Sequence, residues 1–107
     1  MAETLHFSTY GEVKSSNTPL VLLHGWGLNS GVWQLFIEQL PKEFWAKFYI
    51  VTVDLPGFGK NHKIELQPYS ITNIVDKLNE ALPQPAIYLG WSLGGLIASE
   101  MALAYPN

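Results

Sequence analysis

Gly90-Trp91-Ser92-Leu93-Gly94 is the stretch of this sequence best suited to chemistry. Ala86-Ile87-Tyr88-Leu89 leads straight into it, and a helical pattern follows at once. A serine between a strand and a helix predicts a nucleophile elbow, with Ser92 at the tip of a sharp turn. Such a turn strains the serine backbone and brings its neighbours together. Gly90 and Gly94, two residues either side, have no Cβ to collide there. The turn would lift the Ser92 hydroxyl clear of the sheet, near the positive end of the following helix. The bland alternative is a glycine-rich turn with an idle serine, and the strand-to-helix context argues against it.

Serine attack on an acyl carbon builds negative charge on the carbonyl oxygen, which backbone N–H groups stabilise as it develops. In the elbow scheme one donor is the residue after the nucleophile, here Leu93, and the other lies in a loop after an earlier buried strand. Leu20-Val21-Leu22-Leu23 followed by His24-Gly25-Trp26-Gly27 fits that loop. Gly25 lets the backbone approach a ligand closely, and Trp26 supplies the second amide and an indole to wall an acyl chain. His24 precedes the nucleophile, whereas the scheme runs serine, acid, histidine. It is therefore read as shaping the loop. Asp54, directly after another strand, is read as fixing its own turn rather than as the acid. His6 falls on a solvent-side strand position and His62 in a solvated basic loop, poor places for a buried base.

The elements follow from apolar spacing. Leu5 to Tyr10 alternates as a half-buried strand, and Leu20–Leu23 and Phe48–Val53 read as buried parallel strands. Ser30 is placed as the cap of a helix whose Val32, Trp33, Phe36, Ile37 and Leu40 share one apolar face, ended by Pro41. Phe44 and Trp45 read as packing residues, and Lys60 to Pro68 as an irregular loop. Ser70 caps a second helix with Ile71, Ile74, Val75, Leu78 and Leu82 on one face, and Tyr69 and Ile74 have the spacing of a hydrophobic staple. After the elbow, Gly94, Gly95, Ala98 and Ala102 let a helix lie close to the sheet until Pro106. Strands alternating with helices predict an α/β fold, a mostly parallel sheet with helices on both faces.

The chain has 107 residues, 48% of them hydrophobic and 14% charged, which is a globular composition for one domain at most. A net charge of −3 gives no reason to expect nucleic acid or an anionic membrane as partner. With no cysteine there is no disulfide framework or thiolate metal site. Met1 to Tyr10 lacks a signal-peptide pattern, and no apolar run reaches the roughly 18 residues of a membrane span. These features fit a cytoplasmic protein.

Three blocks carry a resemblance: Leu20 to Asn29 with Val32-Trp33, Val53-Asp54-Leu55-Pro56-Gly57-Phe58-Gly59, and Leu89 to Leu96. Together they resemble the carboxylesterases of biotin synthesis, within the α/β-hydrolase superfamily. Trp26 after His-Gly and Trp91 before the serine narrow the choice within that superfamily. The resemblance implies Ser92 as nucleophile and Trp26 and Leu93 as oxyanion donors, with Trp26 also lining the acyl site. It implies hydrolysis of the methyl ester of a pimeloyl group carried on acyl-carrier protein, without metal or organic cofactor.

That family's acid, histidine and lid lie well beyond the nucleophile. After Ser92 this sequence holds only Glu100 as a carboxylate and no histidine. Residues 1–107 therefore read as the nucleophile-bearing N-terminal half of the fold, incomplete, with little or no activity alone. Its elbow strand is expected to leave an apolar edge open. The alternatives are half of a split enzyme completed by a second chain, another small-ester or lipase-like hydrolase, and a non-catalytic relic.

Overall fold

The four strands form one sheet in the order β1-β3-β2-β4: β1 (Phe7–Tyr10), β2 (Thr18–Leu23), β3 (Phe48–Val53) and β4 (Ile87–Gly90). The structure is a computed structural model that describes residues 5–25, 28–64, 66, 69–83 and 86–104. β2 runs parallel to both β3 and β4, and β1 joins β3 antiparallel at the far edge. The parallel sheet read from the continuous apolar runs is thus present, with one antiparallel edge strand. β2 begins two residues earlier than its apolar run, at Thr18, whose N–H bonds the Lys47 carbonyl at 2.8 Å.

Residues alternate across the sheet and build two cores. Val21, Leu23, Val51 and Val53 face α2 (Ile71–Ala81) and α3 (Leu93–Ala104), where they meet Ile74, Val75, Leu78, Ile97 and Met101. On the other face Leu22 and Ile50 pack under Trp33, flanked by Leu20, Ile37, Leu40, Phe44 and Trp45. Phe44 and Trp45 are packing residues as expected, and the Phe44 ring also stacks on Phe48 at 4.9 Å. The Ser70 hydroxyl caps α2, accepting the Asn73 N–H at 3.2 Å. Tyr69, placed by spacing against Ile74, donates its hydroxyl to the Pro56 carbonyl at 2.6 Å.

The first helix departs from expectation. Residues Ser30–Trp33 form a 3₁₀ turn, and only Gln34–Glu38 (α1) is α-helical. Asn29, not Ser30, caps the turn, its side chain accepting the Gly31 N–H at 2.8 Å. Ser30 is the first residue of the turn rather than its cap, and its N–H is taken by Asp54, a contact made across 24 residues. Trp33 is buried while Val32, Leu35 and Phe36 are exposed, so the apolar stripe is wider than the surface available to cover it.

Candidate active site

The C-terminal ends of β2 and β4 bring Ser92, Gly90, Gly94, Leu93, Gly25 and His24 to one end of the sheet. Trp26 lies outside the described residues. Ser92 has φ +56°, and it is the one non-glycine residue with positive φ among those described. That left-handed conformation costs an L-residue about 1–2 kcal/mol, and it persists where surrounding structure holds it. Here the hold is visible. Trp91 N–H bonds the Leu23 carbonyl at 2.9 Å, fastening β4 to β2, and Gly95 N–H bonds the Ser92 carbonyl at 2.9 Å, opening α3.

Both elbow glycines are required by close approach. A Cβ on Gly90 would run into the Gly94 carbonyl, and one on Gly94 into the Leu23 carbonyl. Leu93 is the first residue of α3, so its N–H has no acceptor within the helix. Gly25 lies against the elbow: a Cβ there would stand 3.3 Å from the Ser92 Cβ and 3.1 Å from the Trp91 ring. The loop after β2 and the serine are therefore neighbours, as attack beside a backbone donor requires.

His24 is fully buried with both ring nitrogens engaged. Nε2 accepts the Leu55 N–H at 2.8 Å, which assigns the proton to Nδ1, donating to the Gly25 carbonyl at 2.7 Å. The Phe58 ring meets its imidazole edge-on at 5.8 Å. An imidazole so occupied has no lone pair left to take a proton from a serine.

Asp54 stands at the end of β3, one strand further from β4. Its Oδ1 accepts the Ser30 N–H at 2.6 Å and its Oδ2 the Lys60 N–H at 2.8 Å. Burial pushes its carboxyl upward, but the N–H donors of Lys60 and Ser30 outweigh this and hold it below the usual 3.8. Both oxygens serve loops, which is the turn-fixing role rather than that of an acid behind an imidazole. His62 is exposed and turned to the Gly59 carbonyl at 2.9 Å, and the His6 side chain is exposed beside the start of β1.

Asn61 is the residue that sequence reasoning missed. It sits in the stretch read as a solvated loop, yet it is 1% exposed. Its amide donates to the carbonyls of His6 (3.0 Å) and Asp54, and its Oδ1 accepts the His6 N–H at 2.8 Å. Only its short polar side chain within an Asp-x-x-Gly-x-Gly-x-Asn run hinted at a loop-binding role.

Leu28, Val32, Trp33, Phe36 and Trp91 line an apolar cavity of about 340 Å³ reaching the residue before Ser92. Among the described residues no group of three potential metal ligands occurs, and no helix is long and apolar enough to cross a membrane.

Comparison with known proteins agrees with this geometry. Two proteins named pimeloyl-[acyl-carrier protein] methyl ester esterase are similar over all 107 residues. That of Pseudoalteromonas atlantica is 44% identical and that of Vibrio vulnificus 45%. The chain spans 38% of the length of each. Among solved structures, a carboxylesterase of Nitrososphaera gargenis superposes with a TM-score of 0.78 at 26% identity, covering 94% of this chain and 37% of that one. An alpha/beta superfamily hydrolase of Oenococcus oeni gives 0.76 at 25% identity, covering 97% and 39%. The model of the alpha/beta hydrolase fold matches residues 18–107. With its elbow serine, its parallel sheet and that match, the chain belongs to the α/β-hydrolase family.

Proposed function

We propose that this chain carries the nucleophile half of a serine carboxylesterase that hydrolyses the methyl ester of pimeloyl-acyl-carrier protein in biotin synthesis. The observation that carries the reading is Ser92 at φ +56° immediately before α3, with Gly25 against it. The shared name of relatives 41–45% identical over nearly the whole chain supports the substrate.

In this reading the Ser92 Oγ attacks the ester carbonyl, and the backbone N–H groups of Leu93 and Trp26 receive the oxyanion. Methanol leaves, and water then releases the free carboxylate from the acyl-serine. The cavity walled by Trp91, Leu28 and Val32 suits the methylene chain of the acyl group. Such chemistry needs no metal, and in this reading it belongs to the cytoplasm.

Serine needs a base to take its proton, and none of the three histidines is placed for it. The base and its acid come from polypeptide beyond these 107 residues, joined to them or on a second chain that completes the sheet at β4. Alone, the 107 residues have little or no esterase activity. A second reading, another small-ester hydrolase, is favoured by one observation: the side chains that line the cavity are all apolar, with none among them to read the carrier.

The test is labelling by a fluorophosphonate probe with and without the remaining part of the Pseudoalteromonas atlantica relative. Labelling only in the complemented protein, lost in Ser92→Ala by about 10⁴-fold or more, is expected. Labelling of Ser92 in the isolated chain overturns the dependence on outside residues. Absence of labelling in both overturns the esterase.

A further inference from the structure

Leu28, Val32, Phe36 and Trp91 are exposed walls of the cavity beside Ser92, and Trp33 is the one buried residue of its lining, 8% exposed. Trp33 is therefore the floor. Its indole rests on Leu22 and Ile50 of the sheet. The Trp33 Nε1–H is buried and has no hydrogen-bond partner. An indole N–H can only donate, and a buried one ordinarily finds an acceptor. His24, Asp54 and Asn61, buried in the loops beyond β2 and β3, are all bonded. A buried donor left unpaired costs stability, so one kept at the floor of a cavity calls for an acceptor from outside the protein. The side chains around it have no oxygen to offer.

We infer that Trp33 determines acyl specificity: a chain lies in the groove with its ester at Ser92, and the Trp33 indole donates to a second carbonyl oxygen within the acyl chain. The substrate class is then a methyl ester whose chain carries another carbonyl, rather than a plain fatty ester. The inference rests on the esterase reading and deepens it. The methyl ester of a pimeloyl thioester belongs to that class, with the thioester carbonyl as acceptor. That oxygen is part of the acyl chain, and the carrier lies beyond it. In the empty groove the nitrogen is shut away from solvent. The Phe36 ring stands edge-on to the indole at 5.8 Å and is 37% exposed, so it has room to turn aside as a chain enters. An alkyl chain would cover the N–H without bonding it, whereas a chain with a carbonyl satisfies it. A site with a buried polar group discriminates against the ligand that leaves it unpaired.

The test uses a chimera joining these 107 residues to the rest of the Pseudoalteromonas atlantica relative. Dimethyl pimelate and methyl nonanoate have chains of the same length, and only the first carries a second carbonyl. The ratio of their kcat/KM values should favour dimethyl pimelate. Trp33→Phe, which keeps an aromatic floor without the N–H, should lower that ratio by about tenfold or more. Equal losses on the two esters, or no loss on either, mean that Trp33 only packs, and overturn the inference. Should the phenylalanine variant not fold, the indole N–H resonance of Trp33 decides. In a Ser92→Ala chimera, which binds without turnover, it should move downfield with dimethyl pimelate and not with methyl nonanoate. The same downfield shift with both esters, or none with either, overturns the inference. If the unsubstituted chimera hydrolyses neither ester, the esterase reading fails, and the resonance alone decides whether the groove reads a carbonyl.

Discussion

Leu22 and Leu89 are register partners on neighbouring strands and project to the same face of the sheet, yet Leu22 is fully buried and Leu89 is 40% exposed. The difference is cover. Leu22 lies under Trp33, whereas Ile87 and Leu89 of β4 stand half in solvent. Leu96 and Leu103 of α3 are exposed as well. At the C-terminal ends of β2 and β3, His24, Asp54 and Asn61 tie down Gly25, Ser30, Leu55 and Lys60, and the strand residues Val21, Leu22, Leu23, Ile50, Val51 and Val53 are enclosed. Around β4 the strand pairs with β2, and among the described residues no strand pairs its other side. One half of this molecule is finished by its own contacts. The other presents an apolar strand with an edge unpaired among the described residues, which is a ready template for pairing with another strand.

The contrast can be broken most severely at the elbow. Gly90→Ala places a methyl group into the backbone of Gly94 and Gly95, which cannot move without opening α3. Urea unfolding should show a loss above about 3 kcal/mol. Leu22→Ala should cost about 2–5 kcal/mol and Leu89→Ala less than about 1 kcal/mol in the 107-residue chain. In the complemented protein the cost of Leu89→Ala should rise toward that of Leu22→Ala. If it stays small there, β4 is not where the remaining polypeptide packs.

Acid sharpens the finished side. Asp54 is held below 3.8, so its contribution to stability is complete above that value and lost as pH falls through the lower folded value. Unfolding midpoints taken from about pH 6 down to about pH 2 should fall less steeply in Asp54→Asn than in the parent chain. An equal slope would mean that the Ser30 and Lys60 bonds contribute nothing. The smallest effect belongs to Gly95→Ala. Its Cβ would meet the Gly90 carbonyl oxygen at an ordinary 3.6 Å, and alanine favours a helix over glycine by about 1 kcal/mol. Stability should be unchanged or slightly raised, five residues along from a glycine that tolerates nothing.

Much of the fold was legible because its signals are local. Phe48–Val53 is a strand wherever it finds neighbours, Ser70 caps α2 through a bond three residues away, and Gly90 and Gly94 flank a serine that no other turn would need. The start of the helix differs from the apolar spacing because Asn29 caps a 3₁₀ turn over Ser30–Trp33, and that spacing carries no information about the Ser30 N–H bond to Asp54, 24 residues on. Asn61 was passed over among exposed lysines for the same reason: its three bonds reach back to Asp54 and to His6.

The sequence by itself determined the strand-to-helix elbow, the parallel strands and the serine at the elbow's tip, since each depends on residue type within a few positions. Tertiary structure alone decided that His24 spends both nitrogens on the loops and that Asp54 faces Ser30 and Lys60. Those outcomes depend on which strands become neighbours, and strand order is set by packing across the whole sheet rather than by any one segment.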